Sequence, residues 1–466
     1  MNKPGFPESF LSSIANAPGM DAENFIEAQS SPALTSVRIN PFKSIAFEKT
    51  TSVPWCNGGY YLENRPSFTF DPLFHAGCYY VQEASSMFID TIYRYIQQQT
   101  ADAVRVLDLC AAPGGKSTLL ASLLTSKDLL VSNEIIKTRV PVLADNLNRW
   151  GTSNNIVTNN DARDFGRIPG FFDVILVDAP CSGSGMFRKD PEAMEEWSLD
   201  NVNLCHQRQE RILADVYPAL AEDGYLIYST CSYSIEENEN ILDWLCDEFD
   251  FETVRIPIEA NWGIVESQSA EHGAWGYRFY PDKVKGEGLF AACLKKTTGS
   301  GYPSTHKNKS QKPNFKEIDL LKSYFKNSED YFYFKVGDDW LAIDRQHKDS
   351  LETLQQYLYI KKSGVRIGKL AGKDLIPDHE LALSLLINKE QVLQTELNYD
   401  QAIAYLRRDP FDLNTQQKGW SLMTYKDFVL GWAKLLPNRL NNYYPKELRI
   451  LAPRPPEGGV PLAEEV

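Results

Sequence analysis

The sequence predicts an α/β protein. Its centre is a parallel sheet covered by helices, with a mixed lead-in region before it and small β-rich modules after it. Three observations carry this reading. Between residues 103 and 297, short apolar runs alternate with amphipathic stretches of helical length. Those runs are apolar throughout, as strands buried on both faces are. After them, TTGSGYPSTHKNKSQKPN (297–314) is polar and rich in Gly, Ser, Pro and Lys, and reads as a linker.

The elements follow in order. VRVLDLC (104–110) is the first expected strand and STLLASLL (117–124) the helix after it. DLLVSNE (128–134) is the second strand. TRVPVLADNLNRW (138–150) has helical spacing, with Pro141 tolerable in its first turn. NNIVTNND (154–161) and FFDVILVD (171–178) are the third and fourth strands. A helix through CHQRQERILADVYPAL leads to the fifth, GYLIYSTC (224–231). Beyond the linker, YFYFKVGDDWLAI (331–343) reads as a hairpin, and SGVRIGKLAGKDLIP (363–377) adds short strands with glycine turns. The final stretch suggests a small barrel or sandwich. The expected division is a lead-in domain at 1–95, the α/β domain at 96–296 and a linker at 297–315. A small intervening domain at 316–384, a β-rich module at 385–455 and a loose tail at 456–466 complete it.

Composition narrows the function classes. The chain has 466 residues, 43% of them hydrophobic and 24% charged, as in ordinary soluble proteins. No apolar run reaches the length of a membrane span, and MNKPGFPESF lacks the apolar stretch of a signal peptide. The eight cysteines are irregularly spaced and read as reduced, cytoplasmic thiols. A structural zinc needs closely paired ligands, and the shortest cysteine interval, Cys231 to Cys246, is 15 residues, so no metal is expected. The net charge of -14 argues against a nucleic-acid partner, but its distribution weakens that objection. Residues 301–466 hold 24 basic against 22 acidic groups, whereas residues 1–300 hold 24 against 40. Phosphate binding depends on local patches rather than on the total.

Candidate functional residues gather at the strand ends, where open α/β sheets bind ligands. After the first strand, Gly114 and Gly115 of DLCAAPGGKS permit a tight turn and close approach of a ligand to the backbone. Glu134 closes the second strand, where a carboxylate can accept both hydroxyls of a ribose. Asp161 closes the third, placed for the exocyclic amine of adenine, and Asp178 closes the fourth. The nucleotide-binding pattern G-x-x-x-x-G-K-[ST] fails, because Cys110 stands where its first glycine belongs, and G-x-G-x-x-G is absent. S-adenosylmethionine needs an acidic ribose clamp without a diphosphate cradle, and fits these positions best.

Two thiols also lie at strand ends. Cys181 follows the fourth strand in VDAPCSGSGMF, and Cys231 ends the fifth in STCSYS. Cys56, Cys78, Cys205, Cys246 and Cys293 read as small buried hydrophobes, while Cys110 borders the glycine loop. Two thiols, a carboxylate and a methyl donor match alkylation of a pyrimidine at C5. That carbon is a poor nucleophile until a thiolate adds at C6. A base must then remove the C5 proton. Asp178 is placed to bond N3 or the N4 amine of cytosine. Spacing alone leaves open which thiol attacks.

These segments resemble the RNA cytosine-C5 methyltransferase family, specifically its bacterial small-subunit rRNA branch with a C-terminal PUA-like domain. The resemblance rests on VLDLCAAPGGKST, VSNE, NDARDF, FDVILVDAPCSGSGMF, YLIYSTCSYSIEENE and YRFYPDKVKGEGLFAACL. SVRINPFK and HAGCYYVQEASSM extend it into the lead-in region. YLRRDPF, KGWSLMTYKDFVLGWAK and NNYYPKELR extend it into the tail module. It implies a Rossmann-like S-adenosylmethionine-dependent methyltransferase sheet. It also implies that Cys231 is the nucleophile, that Cys181 completes the reaction by proton removal or enzyme release, and that Asp178 contacts the cytosine. Cys110, Ala111, Ala112, Pro113, Gly114, Gly115 and Lys116 are then expected to border the methionine part of the cofactor. Glu134 holds the ribose, Asp161 the adenine, and Arg139 and Asp178 complete the cofactor region. Arg38 and Asn40 are expected near the substrate, with Lys285 and Gly286 in a loop flanking the target. The implied substrate is 16S rRNA in the assembled 30S subunit, at cytosine 1407. RRDPF and KELR are candidate phosphate contacts of a monomeric enzyme.

Overall fold

The expected strands assemble into one large mixed sheet in the computed structural model, which describes residues 5–46, 50–100, 103–299, 315–372, 374–413, 415–437 and 439–453. Most of the expected linker, and all of the expected tail, lie outside the described residues. The lead-in region supplies a four-stranded antiparallel sheet of β1 (Thr35–Ile39), β2 (Thr51–Ser52), β3 (Gly59–Leu62) and β4 (Tyr79–Val81). Five parallel strands follow: β5 (Arg105–Asp108), β6 (Leu129–Asn133), β7 (Asn155–Thr158), β8 (Phe172–Asp178) and β9 (Leu220–Thr230). Their spatial order is β7-β6-β5-β8-β9. The chain thus winds outward from β5 in one direction and then in the other. A crevice forms at such a switch point, beyond the carboxyl ends of β5 and β8.

Strand periodicity distributes the apolar side chains between two cores. Val106, Val174 and Leu176 face one hydrophobic cluster, while Leu107, Ile175 and Val177 face another. Each fully buried Val, Leu or Ile contributes about 1.5–3 kcal/mol relative to exposure, so both faces must be covered. Helices Gly115–Leu123 and Val140–Trp150 cover the first face, and Leu199–Val216 and Glu239–Glu248 the second. Pro141 sits in the first turn of its helix, where its missing N–H costs no hydrogen bond.

The sheet is larger than the five expected strands. β10 (Phe251–Val254), β11 (Val265–Gln268), β12 (Trp275–Phe279) and β13 (Leu289–Lys296) extend it antiparallel beside β9. The stretch expected as a separate intervening domain is not separate. Its hairpin β14 (Tyr331–Val336) and β15 (Asp339–Asp344) is present. However, β16 (Ile360–Ser363) pairs with β7 and becomes an edge of the large sheet. Leu351, Leu354 and Leu358 join the second methyltransferase-sheet core. β17 (Val365–Ala371) and β18 (Asp374–Pro377) complete the smaller sheet with the hairpin.

The C-terminal module is an open four-stranded sheet rather than a closed barrel. It comprises β19 (Leu393–Glu396), β20 (Gly419–Tyr425), β21 (Phe428–Leu436) and β22 (Arg439–Asn442). Leu422, Val429 and Trp432 pack with the intervening hairpin, whereas Met423, Leu430 and Ala433 pack with Val37, Leu73 and Tyr79 of the lead-in region. Both faces find partners elsewhere in the chain, so the sheet does not need to close on itself. Among the described residues no helix is long and apolar enough to cross a membrane.

Candidate active site

The site begins with the turn after β5. Gly114 takes φ +114, a left-handed conformation that glycine adopts at little cost, and caps helix Gly115–Leu123. The loop before it is tied down on two sides. The Ala111 N–H donates to the Asn133 carbonyl at 2.8 Å, and Asn146 Nδ2 donates to the Pro113 carbonyl at 2.7 Å. Arg139 donates to the Ala112 carbonyl at 2.5 Å and lies 3.3 Å from Glu134 Oε2, so it joins the loop to the end of β6. Glu134 is buried and also accepts from the Ile136 N–H at 2.8 Å. Asp161 stands at the end of the third strand's loop, caps helix Ala162–Phe165 and stays partly exposed. Burial pushes the Cys110 thiol up, which keeps it neutral beside the loop.

Asp108 Oδ2 accepts from Ser117 Oγ at 2.6 Å, while its buried Oδ1 has no partner. Burial pushes this carboxyl up to about 7. The strand-end acids Glu134 and Asp161, the glycine turn and this unmatched oxygen lie around one end of the sheet. That donor and acceptor set suits a nucleoside bearing an amino-acid tail, and so fits S-adenosylmethionine.

The two thiols meet. Cys181 Sγ and Cys231 Sγ are 3.1 Å apart, at the tips of the adjacent parallel strands β8 and β9. Both are free thiols of intermediate exposure. The Cys181 thiol is held well above the ordinary range, first by its hydrogen bond to Cys231 and then by burial and nearby negative charge.

Asp178, at the end of β8, lies 2.7 Å from Lys116 Nζ and accepts from Ser229 Oγ at 2.8 Å. Burial opposes the Lys116 charge, but Asp178, Cys231 and Asp108 outweigh it and raise its pKa. Lys116 is thus a cation beside the thiols as well as a residue of the cofactor loop. Close backbone packing joins the two thiol loops. The Gly185 N–H donates to the Cys231 carbonyl at 2.8 Å, and Tyr233 N–H donates to Ser184 Oγ at 3.0 Å.

Arg38 and Asn40 occupy a different place from the one expected of substrate contacts. Arg38 is buried, and its guanidinium bonds Gln82, Ser122, Thr118 and the Gly115 carbonyl. It lies over the Trp150 ring, with its Cζ 4.7 Å from the centroid, and burial lowers its pKa to about 10. Asn40 is fully buried and donates to the carbonyls of Gly77 and Trp150. Arg38 braces the cofactor-loop helix from behind, and Asn40 ties Gly77 of the lead-in region to the end of helix Val140–Trp150. Lys285 is exposed. Gly286 is buried, and a Cβ there would meet Ser85 Oγ at 2.2 Å. Its carbonyl accepts from Arg188 at 2.7 Å, and Arg188 also grips Glu287, which fixes the loop that presents Lys285.

Glu237 was not among the expected site residues. It sits in the acidic run IEENE, whose composition reads as solvated surface, yet it is fully buried beneath both thiol loops. The sequence signals were the density of serines around it, in CSGS and CSYS, and its place inside the family-like segment YLIYSTCSYSIEENE.

Comparison with known proteins agrees with this geometry. The family described as 16S rRNA methyltransferase RsmB/F matches residues 95–295. The RsmF PUA domain matches 392–450, and the RsmF N-terminal domain 6–84. The ribosomal RNA small subunit methyltransferase F of Shewanella piezotolerans is 31% identical, across 95% of this chain and 97% of the relative. The protein of that name from Aliivibrio fischeri is 30% identical across 95% and 97%. A solved methyltransferase homolog from Pyrococcus horikoshii is 29% identical, with a TM-score of 0.52, covering 63% of this chain and 96% of that one. NSun6 from the same organism, solved with SFG, has a TM-score of 0.52 over 63% of this chain and 99% of that one; at 19% identity it speaks to the fold alone. With its thiol pair at the sheet's ligand-binding end and its sequence matched nearly end to end, the chain belongs to the ribosomal RNA small subunit methyltransferase F family of S-adenosylmethionine-dependent enzymes.

Proposed function

We propose that this chain methylates C5 of a cytosine in the decoding region of 16S rRNA, at cytosine 1407, and that it acts as a monomer on the assembled small subunit. One observation carries the chemical part of this reading: two sulfurs 3.1 Å apart beside an aspartate–lysine pair. S-adenosylmethionine, when bound, supplies an electrophilic methyl group. Glu134 would hold its ribose and Asp161 its adenine, with Gly114, Gly115 and Arg139 shaping the rest of the site.

The chain's own residues do the remainder. Cys231 Sγ forms a bond to C6 of the cytosine, and the displaced electron pair makes C5 nucleophilic. Asp178, held by Lys116 and Ser229, meets the N3 and N4 edge of the base and steadies the ring as its charge changes. Once C5 carries the methyl group, its proton leaves to a base, the C6–S bond breaks, and the electron pair returns to sulfur. Cys181 is placed for that last stage. The largest cause of its raised pKa is its hydrogen bond to Cys231, and a Cys231 sulfur bound to C6 no longer accepts that proton. Cys181 can then release its proton to water, and the resulting thiolate takes the proton from C5. The substrate cytosine must be extruded from its stack to reach sulfurs at the strand tips.

The test uses small subunits and labelled S-adenosylmethionine, with bisulfite mapping of the product. The expected result is one 5-methylcytosine in the decoding region. Cys231→Ala should abolish it. Cys181→Ala should accumulate a covalent protein–RNA adduct visible on a denaturing gel. Binding of cofactor and subunit without any 5-methylcytosine would overturn the reading, and reversed phenotypes would exchange the roles of the two thiols.

A further inference from the structure

We propose that Glu237 is a positioning residue that holds the two thiol loops in register and so sets the distance between the reactive sulfurs. The loops leave the sheet at Asp178 and Thr230, where the β8 and β9 ladder ends. Beyond that point the Gly185 N–H to Cys231 carbonyl and Tyr233 N–H to Ser184 Oγ bonds tie the loops farther along, and Glu237 fastens them next to the sulfurs. One carboxylate oxygen accepts from the Ser182 N–H at 2.7 Å and Gln209 Nε2 at 3.3 Å. The other accepts from Ser182 Oγ at 2.5 Å, Ser232 Oγ at 2.5 Å and Ser234 Oγ at 2.6 Å. Ser182 is the residue after Cys181, and Ser232 is the residue after Cys231. A single buried carboxylate therefore grips both chains one residue beyond each sulfur.

The acid is itself well anchored. Its carbonyl accepts from Tyr228 Oη at 2.7 Å, and the adjacent Asn238 bonds Thr230 Oγ1 at 2.6 Å and the Ser232 carbonyl at 2.9 Å. A fully buried carboxylate is costly unless donors replace its water. Here a backbone N–H, three hydroxyls and an amide do so. An apolar residue would fill this space without linking the loops. Glu237 touches neither sulfur, so its influence on the reaction passes through the serines. Its negative charge also contributes to keeping the Cys181 proton in place.

The test has a kinetic half, which rests on the proposed cytosine methylation, and a geometric half, which does not. The geometric readout is the rate at which diamide, a two-electron oxidant, joins Cys181 and Cys231 in the free full-length protein, followed by peptide mapping. Each sulfur gives up one electron and one proton, and diamide is reduced to its hydrazine. Two variants are compared with wild type: Glu237→Gln, and the double variant Ser182→Ala with Ser232→Ala. In folded, cofactor-binding protein, both should slow this disulfide at least about fivefold. Both should also lower kcat by about tenfold or more, with KM for the small subunit nearly unchanged, since sub-ångström misplacement of reacting groups carries penalties of this order. If Glu237→Gln does not fold, the serine pair decides alone. Variants that lose only thermal stability, with diamide rate and kcat as in wild type, would overturn the proposal. A wild-type protein that makes no 5-methylcytosine but shows the expected diamide difference would overturn the reaction and leave the positioning role standing.

Discussion

Asp108 shows how a single residue links the cofactor site to stability. It is buried at the end of β5, accepts one hydrogen bond from Ser117, and has Asp178 and Glu134 nearby with Lys116 as the compensating cation. Burial raises its pKa from the ordinary 3.8 to about 7. A raised carboxyl pKa means the folded state holds a proton that the unfolded state releases. Stability is therefore expected to fall as pH rises from 3.8 to about 7, by an amount on the order of 2–4 kcal/mol. Asp108→Asn should flatten that slope, measured by urea unfolding across the window; an unchanged slope would show that Asp108 is ionised throughout. At this scale, the sequence revealed residue type and strand-end placement. Cys181, Cys231 and Asp178 were legible because chemistry-bearing side chains closed apolar runs, and Lys116 through the family resemblance of its loop. The motif did not reveal the burial of Arg38 and Asn40: Arg38 spends its polar groups on the helix behind the glycine loop, and Asn40 spends its own on the Gly77 and Trp150 carbonyls.

Elements position these residues through contacts that a list of strands does not contain. The 3₁₀ turn Ser184–Met186 and the loop after β9 approach so closely at Gly185 that a side chain is excluded at that position. A Cβ on Gly185 would stand 2.6 Å from the Gly288 carbonyl oxygen and 2.8 Å from that of Cys231. Gly185→Ala should therefore displace the Cys231 loop. The expected outcome is a kcat lowered by about 10²-fold with a stability loss of about 1–3 kcal/mol, read from single-turnover methylation and thermal unfolding. A variant with normal turnover would mean the loop tolerates the shift. The five parallel strands were readable from their apolar runs and the helices between them from their spacing. The antiparallel strands β10–β13 were less so. Their residues alternate with turns, and they owe their position to β9, whose far edge would otherwise lie open.

Across the whole molecule, three segments distant in sequence converge on Lys43. Its Nζ donates to the carbonyls of Ala76 at 2.9 Å, Arg149 at 2.7 Å and Leu383 at 2.9 Å. These belong to the lead-in region, the end of helix Val140–Trp150 and the segment before the C-terminal sheet. Backbone fits closely there too: a Cβ on Gly77 would stand 2.0 Å from the Arg149 carbonyl oxygen. Lys43→Met should leave three carbonyls poorly satisfied and cost about 2–4 kcal/mol. Hydrogen exchange should rise at 149–151 and 383–385 while β5 and β8 stay protected; uniform protection would refute the junction. Several of the front half's acids serve the interior rather than the surface, among them Glu237, Glu239 paired with Arg278, and Glu287 paired with Arg188. Local patterning, strand-end chemistry and turn residues are properties of neighbouring positions, so the sequence alone determined the α/β class, the cofactor loop and the identity of the two thiols. Their 3.1 Å approach, the burial of Glu237 beneath them and the fusion of residues 316–384 into neighbouring cores were decided only by tertiary structure. Each depends on segments far apart in the chain meeting in space, and no local pattern encodes that distance.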